Sequence, residues 1–305
     1  MDLKLFYMCL REIPNNLPDS LKTLYLDNNQ ITEINILHNT LEILCIDNNQ
    51  ITEINNLPHT LEILIIENNQ IREIKNLPHT LEQLNIRNNQ IREFKNLPDS
   101  LKKLFISHNQ ITEIKNLPNT LQQLYIGDNQ IREIKNLPST LTYLYINNNQ
   151  IREIKNLPNT LQQLEIENNQ IRKIKNLPSS LKGLWIENNQ IREIKNLPSS
   201  LKVLWIDNNP IEYINPVLYK HQLKDELCDL INTTPDRLKL CYLYKIAYLI
   251  PKLQRWWRKK NIQLKSRYKR DINDEIKYKP NFGIEYYNDL EEILNLLYSS
   301  ELKEN

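Results

Sequence analysis

At 305 residues the chain has room for one to three globular domains, and a formal net charge of +2 excludes a uniformly basic nucleic-acid binder while still permitting local charge asymmetry. No stretch approaches the roughly 18 to 20 uncharged apolar residues of a membrane span. The apolar run at the start, Leu3 to Leu10, contains Lys4 and reads as a capping repeat rather than a signal peptide.

From Leu21 the sequence falls into ten rows of twenty residues, beginning at Leu21, Leu41, Leu61, Leu81, Leu101, Leu121, Leu141, Leu161, Leu181 and Leu201. A looser unit, LKLFYMCLREIPNNLP from Leu3, fits the same pattern with one extra residue between Ile13 and Leu17. A fixed period of this length marks a solenoid, in which stacked units bury one another's apolar side chains and no unit folds alone. The expected organisation is an N-terminal capping repeat (1–20), ten twenty-residue repeats (21–215) and a helical C-terminal cap or tail (216–305) with a basic segment at 251–281.

Within a repeat, each place has its own physical task. In LKTLYLDNNQITEINILHNT, from Leu21 to Thr40, apolar residues stand at places one, four, six, eleven, fourteen and seventeen. Places four and six differ by two and so point the same way from a short strand, while places three, five and seven point the other way. Copies one period apart pair as parallel strands and line up Leu24 with Leu44 and onward to Leu204 in one buried column.

Place nine is always asparagine: Asn29, Asn49, Asn69, Asn89, Asn109, Asn129, Asn149, Asn169, Asn189 and Asn209. A chain turning out of a buried strand needs partners for its backbone groups, and an amide supplies donors and an acceptor together, which predicts a structural asparagine ladder. Place eighteen is proline from Pro58 through Pro198, after leucine each time. Proline fixes φ and holds its predecessor extended, so the return side is expected to be extended rather than helical.

The motif LxxLxLxxNxI followed by xxIxxLPxx resembles the leucine-rich repeat family in its short, twenty-residue Leu-Pro form, over about two thirds of the chain. It is similar to the repeats of bacterial effector proteins and of repeat proteins from amoebae and their large DNA viruses. The resemblance implies a curved horseshoe with a concave parallel β-sheet that binds another protein.

Framework places hardly vary, whereas places three, five and seven do. Place five reads Tyr25, Cys45, Ile65, Asn85, Phe105, Tyr125, Tyr145, Glu165, Trp185 and Trp205, with Tyr143 at place three. Six carboxylates at place seven (Asp27, Asp47, Glu67, Glu167, Glu187, Asp207) and Glu165 face only Arg87 and Lys103, so the outward face nets −5. A row of aromatics edged by carboxylates has the composition of an interface hot spot. The candidate partner-binding residues are Phe105, Tyr125, Tyr143, Tyr145, Trp185, Trp205, Glu167, Glu187 and Asp207, and the expected partner is a protein with a basic or Arg-bearing surface. The competing reading is that the aromatics cover one another or lie beneath the C-terminal region. On the return side, Arg72, Arg92, Arg132, Arg152 and Arg192 adjoin glutamates, the pattern of a solvated face.

After Ile214 the repeat fails. The spacing of Leu238, Tyr242, Ile246, Ile250, Leu253 and Trp257, behind an N-cap at Thr234 and with Pro235 in the first turn, predicts a helix that Pro251 kinks or divides. Shorter helices are expected at Val217–Ile231 and Asp289–Tyr298. Segment 251–281 carries eleven Lys or Arg and three acids, a net of +8. With Trp256 and Trp257 among Arg255, Arg258, Lys259 and Lys260, it offers an alternative function: an effector module for nucleic acid, an acidic membrane or a calmodulin-like partner.

Nothing in the sequence assembles a catalytic or metal site. Cys228-Asp229 has no supporting histidine or acid constellation, and the five histidines lack metal-ligand spacing. The four cysteines, Cys9, Cys45, Cys228 and Cys241, form no CxxC pair and read as reduced thiols. The expectation is a monomeric, non-catalytic scaffold or adaptor that needs no cofactor or metal and works in the cytoplasm, a host's cytoplasm if the protein is viral or an effector.

Overall fold

Each repeat contributes one three-residue strand, at places three to five. The computed structural model describes residues 1–35 and 37–214. Strand β1 is Asp2–Lys4, followed by β2 Thr23–Tyr25, β3 Ile43–Cys45, β4 Ile63–Ile65, β5 Gln83–Asn85 and β6 Lys103–Phe105. Then come β7 Gln123–Tyr125, β8 Tyr143–Tyr145, β9 Gln163–Glu165, β10 Gly183–Trp185, β11 Glu193–Ile194, β12 Val203–Trp205 and β13 Tyr213–Ile214. All but β11 and β13 form one eleven-stranded parallel sheet in chain order, the sheet of a solenoid.

The register is one period per strand, so that Leu24 sits beside Leu44, Leu144 beside Leu164 and Leu184 beside Leu204. β1 joins at a shift of twenty-one residues, Leu3 beside Leu24, which follows from the extra residue between Ile13 and Leu17. Backbone groups at places three and five turn toward the preceding repeat, and those at four and six toward the next. Thus Ile43 N–H donates to Lys22 C=O at 3.0 Å, and Leu26 N–H donates to Cys45 C=O at 2.7 Å.

Behind the sheet the core is a stack of columns. Places one, four, six and eleven are almost wholly buried from Leu21 to Ile211. Full burial of one such side chain contributes about 1.5–3 kcal/mol, and each column is sealed only by the repeats on either side. Place fourteen joins the core, with Phe94 replacing isoleucine at 1% exposure. No helix occurs among the described residues, and the return side is extended, with one short addition: β11 pairs with β13. The helices expected beyond Ile214, and segment 251–281, lie outside the described residues.

Three ladders of polar groups fix the turns. Asn129 accepts the N–H of Ile111 from the preceding repeat at 2.9 Å and donates to the carbonyls of Ile106, Ile126 and Gly127 at 2.9–3.2 Å. The same arrangement recurs along place nine, from Asn29, which takes Leu10 N–H, to Asn209, which takes Ile191 N–H. At place twenty a hydroxyl donates to the place-one carbonyl of its own repeat, as Thr140 does to Leu121 at 2.8 Å and Ser200 to Leu181 at 2.7 Å. Place ten sends its backbone N–H to the place-eleven carbonyl before it, Gln190 to Ile171 at 2.8 Å. Pro210 has no N–H to give, and with it that ladder stops.

Place eight is left-handed in every repeat, from Asn28 (φ 59°) to Asn208 (φ 55°), with His108 and Asp128 as the non-asparagine members. Asparagine tolerates this conformation better than other residues with a Cβ. Place sixteen repeats the device from Asn56 to Asn176.

Candidate functional site

The outward side chains of the sheet stand one strand apart, about 4.8 Å, which is close enough for neighbouring rings to touch. Phe105 and Tyr125 stack with centroids 4.5 Å apart and planes 18° from parallel, and Tyr125 meets Tyr145 at 6.0 Å and Tyr143 at 4.8 Å. The Arg87 guanidinium lies 4.8 Å from the Phe105 centroid and 5.5 Å from that of Tyr125, a cation over the faces of two rings. These four aromatics are half-buried by one another. The Tyr143 hydroxyl donates to Glu165, and burial together with that bond pushes the phenol well above its usual range.

The tryptophans behave differently. Trp185 and Trp205 are register partners on β10 and β12, yet Trp185 is half-buried while Trp205 is 55% exposed. Trp185 folds across its own strand onto Gly183, where any Cβ would come within 2.5 Å of the indole. Gly127 does the same for Tyr145, whose ring would stand 2.3 Å from an added Cβ. Only three glycines occur in the chain, and these two make room for rings. Their scarcity, together with outward placement beside an aromatic, was the readable signal.

Place seven carries a second task that reading it as ligand surface missed. Where it is Asp, Ser or Asn, its side chain accepts the place-seven N–H of the next repeat: Asp27 from Asp47 at 2.9 Å, Ser107 from Gly127 at 3.1 Å, Asn147 from Glu167 at 2.8 Å. Asp47 likewise accepts from Glu67. Burial, outweighing that bond, with repulsion from Asp27 and Glu67, pushes the Asp47 carboxyl up to about 6. Asp27 is also raised, chiefly by burial. The neighbouring Cys45 thiol is buried and pushed up to about 12 by burial and the same two aspartates, which leaves it inert as a nucleophile.

A second acidic run lies beside the tryptophans. Glu167 is raised by burial and by Glu165, and Glu187 by burial, Glu167 and Asp207. Asp207, two residues beyond β12, is exposed. Carboxylates crowded in this way repel one another, and an approaching cation relieves the repulsion.

The return side is neutralised locally. Lys75, Lys95, Lys115, Lys135 and Lys195 each reach a glutamate two residues before them, at 2.5–2.8 Å. Arg72, Arg92, Arg132, Arg152 and Arg172 donate through Nε to the place-ten glutamine of the next repeat at 3.3–3.4 Å. Among the described residues, no three His, Cys, Asp or Glu side chains group closely enough to hold a metal ion, and no helix is long and apolar enough to cross a membrane.

Comparison with known proteins agrees with the solenoid. The model for Leucine Rich repeats (2 copies) matches residues 99–139, and that for a single Leucine Rich Repeat matches residues 20–39. No curated protein sequence matches the chain. Among solved structures the chain is similar to YopM, a leucine-rich effector protein from Yersinia pestis, at 29% identity and TM-score 0.56, over 68% of this chain and 63% of that one. It is also similar to the functional domain of InlJ from Listeria monocytogenes, at 24% identity and TM-score 0.54, over 66% of this chain and 47% of that one. The chain thus spans less than two thirds of the length of either structure.

Proposed function

We propose that the chain, whose residues 20–39 and 99–139 match leucine-rich repeat models, is a non-catalytic protein-binding scaffold whose sheet face takes a partner bearing Lys or Arg side chains. The observation that carries the reading is the C-terminal third of the sheet. There an exposed Trp205 and a flattened Trp185 stand beside Glu165, Glu167, Glu187 and Asp207. Aromatic faces attract cations, more so when carboxylates border them. The Phe105–Tyr125–Tyr145 stack is closed at one end by Arg87, so it serves as a stiff apolar floor, and the tryptophans serve as anchor. Similarity to an effector of known fold, and ring side chains held by glycine-made clearance rather than by the core, both support a recognition surface.

The test is affinity capture from a cell lysate with the full chain as bait, followed by binding measurements on whatever is retained. The variant Trp185→Ala with Trp205→Ala should weaken binding by at least about 2 kcal/mol, the scale of a hot spot, with little change in folding. Retention unaffected by that pair, but lost on neutralising Arg255, Arg258, Lys259 and Lys260 to glutamine, would move the function to the basic segment instead.

A further inference from the structure

Among the described residues, β1 is the edge strand at one end of the sheet. β1 pairs with β2 on one side, and among the described residues nothing pairs with its other side. In every inner repeat the backbone groups of places three and five point to the preceding strand, as when Thr23 N–H donates to Met1 C=O and Tyr25 C=O accepts Leu5 N–H. In β1 those places are Asp2 and Lys4, so the N–H and C=O groups of these two residues face outward from the edge. An open edge is a template for another strand.

The end face beside it is apolar. Leu3, Leu5 and Leu10 occupy places four, six and eleven, where the equivalents Leu24, Leu26 and Ile31 are fully buried, yet these three remain partly exposed. Around them Met1, Phe6, Tyr7 and Met8 are exposed, Tyr7 at 75%. Of the five large apolar side chains exposed among the described residues, four lie within the first eight positions, and the fifth is Trp205. The apolar surface of the described chain is therefore concentrated at its two ends.

We propose that this edge pairs with the β1 strand of a second copy, antiparallel and about a two-fold axis through Leu3, to give one continuous sheet. The register follows from the outward backbone groups. Asp2 and Lys4 are the residues able to exchange hydrogen bonds, so each must oppose the other across the axis in a hydrogen-bonded pair, with Leu3 facing Leu3 in the pair that is not bonded. Both side chains stand on the outer face of the sheet, so the same register sets each Asp2 carboxylate directly opposite the partner copy's Lys4 ammonium, twice by symmetry. Shifting the pairing by one residue would put the leucine on the outer face. Shifting it by two would place Asp2 opposite Asp2 or Lys4 opposite Lys4. The edge is thus self-complementary in one register only, and the half-exposed leucines of the two end faces are brought together behind it. A monomer, expected from the repeats themselves, leaves this edge and end face open.

Sedimentation velocity on the full chain, from low to high micromolar concentration, tests the pairing. The wild type should show a reversible monomer–dimer equilibrium. Asp2→Lys alone, or Lys4→Asp alone, turns both attractive pairs into repulsive ones and should raise the dissociation constant by about tenfold or more. The combined swap, Asp2→Lys with Lys4→Asp, restores opposite charges in the same register and should recover wild-type association to within about threefold. All three variants change exposed side chains and should move the unfolding midpoint little, the loss of the Lys4 ammonium from over the Tyr25 ring, 5.7 Å from its centroid, being the one intramolecular contact removed. A wild type that stays monomeric throughout would overturn the proposal, as would a dimer indifferent to the single reversals or a double swap that fails to recover it.

Discussion

Asp47→Asn should stabilise the protein at neutral pH, although it removes a charged hydrogen-bond acceptor. Asp47 accepts the Glu67 N–H, and asparagine keeps an oxygen for that bond, as Asn147 does for Glu167 at the same place five periods on. What changes is the charge. Burial, with Asp27 and Glu67 nearby, moves the Asp47 carboxyl from its usual 3.8 up to about 6 in the folded chain. Between those values the folded state binds more protons than the unfolded state, so stability falls as pH rises through the window and the full cost of the buried charge is present above about 6. At about 1.36 kcal/mol per unit the upper limit is about 3 kcal/mol, and residual solvent access reduces it to about 1–1.5 kcal/mol. Urea denaturation of both proteins at pH 7.5 and near pH 3.5, values chosen about the window, should show the variant ahead by about that amount at the higher pH. At the lower pH, where the folded carboxyl is protonated and the unfolded one mostly so, nearly all of the advantage should vanish. An advantage of equal size at both pH values would refute the electrostatic reasoning, and a loss at neutral pH would show that the carboxylate is needed as an acceptor.

Other perturbations separate the ladders. Asn129→Ala leaves one buried N–H and three carbonyls without their side-chain partner and should cost about 1–3 kcal/mol, whereas Gln130→Ala, whose ladder bond is made by the backbone, should stay within about 0.5 kcal/mol; equal urea midpoints would contradict this. Asn188, at φ 51°, should lose about 1–2 kcal/mol as alanine and recover nearly all of it as glycine, since the cost is that of a Cβ in left-handed backbone. Gly183→Ala must push the Trp185 indole off its strand, which should change the near-ultraviolet circular dichroism while shifting stability by no more than about 1 kcal/mol. An unchanged aromatic spectrum would mean that the indole does not rest on that glycine.

How much of this was legible depended on whether a place had a single physical task. The inward places four, six and eleven have one, burial against neighbouring repeats, and their period and register follow directly from the leucine and isoleucine pattern. Place nine was readable for the same reason: a buried turn needs a donor and an acceptor in one short side chain. Place eight hid behind it. The repeated Asn-Asn looks like two copies of one signal, but the first asparagine is chosen for its backbone and the second for its amide, and His108 and Asp128 show that the first task does not require an amide. Place seven was legible only in part, because a carboxylate on an outward position reads as ligand surface, while the N–H that Asp27 or Asn147 accepts belongs to a residue twenty positions on. The same economy explains where function can reside. In the repeats of β2 to β9 the place-seven acceptor role constrains the choice to Asp, Ser or Asn wherever it is used, while the place-five side chain makes no bond to the backbone of the next repeat and is free to vary. A surface evolved for recognition should therefore differ most at place five, and it is there that the chain passes from Cys45 and Asn85 through the stacked rings to an open Trp205.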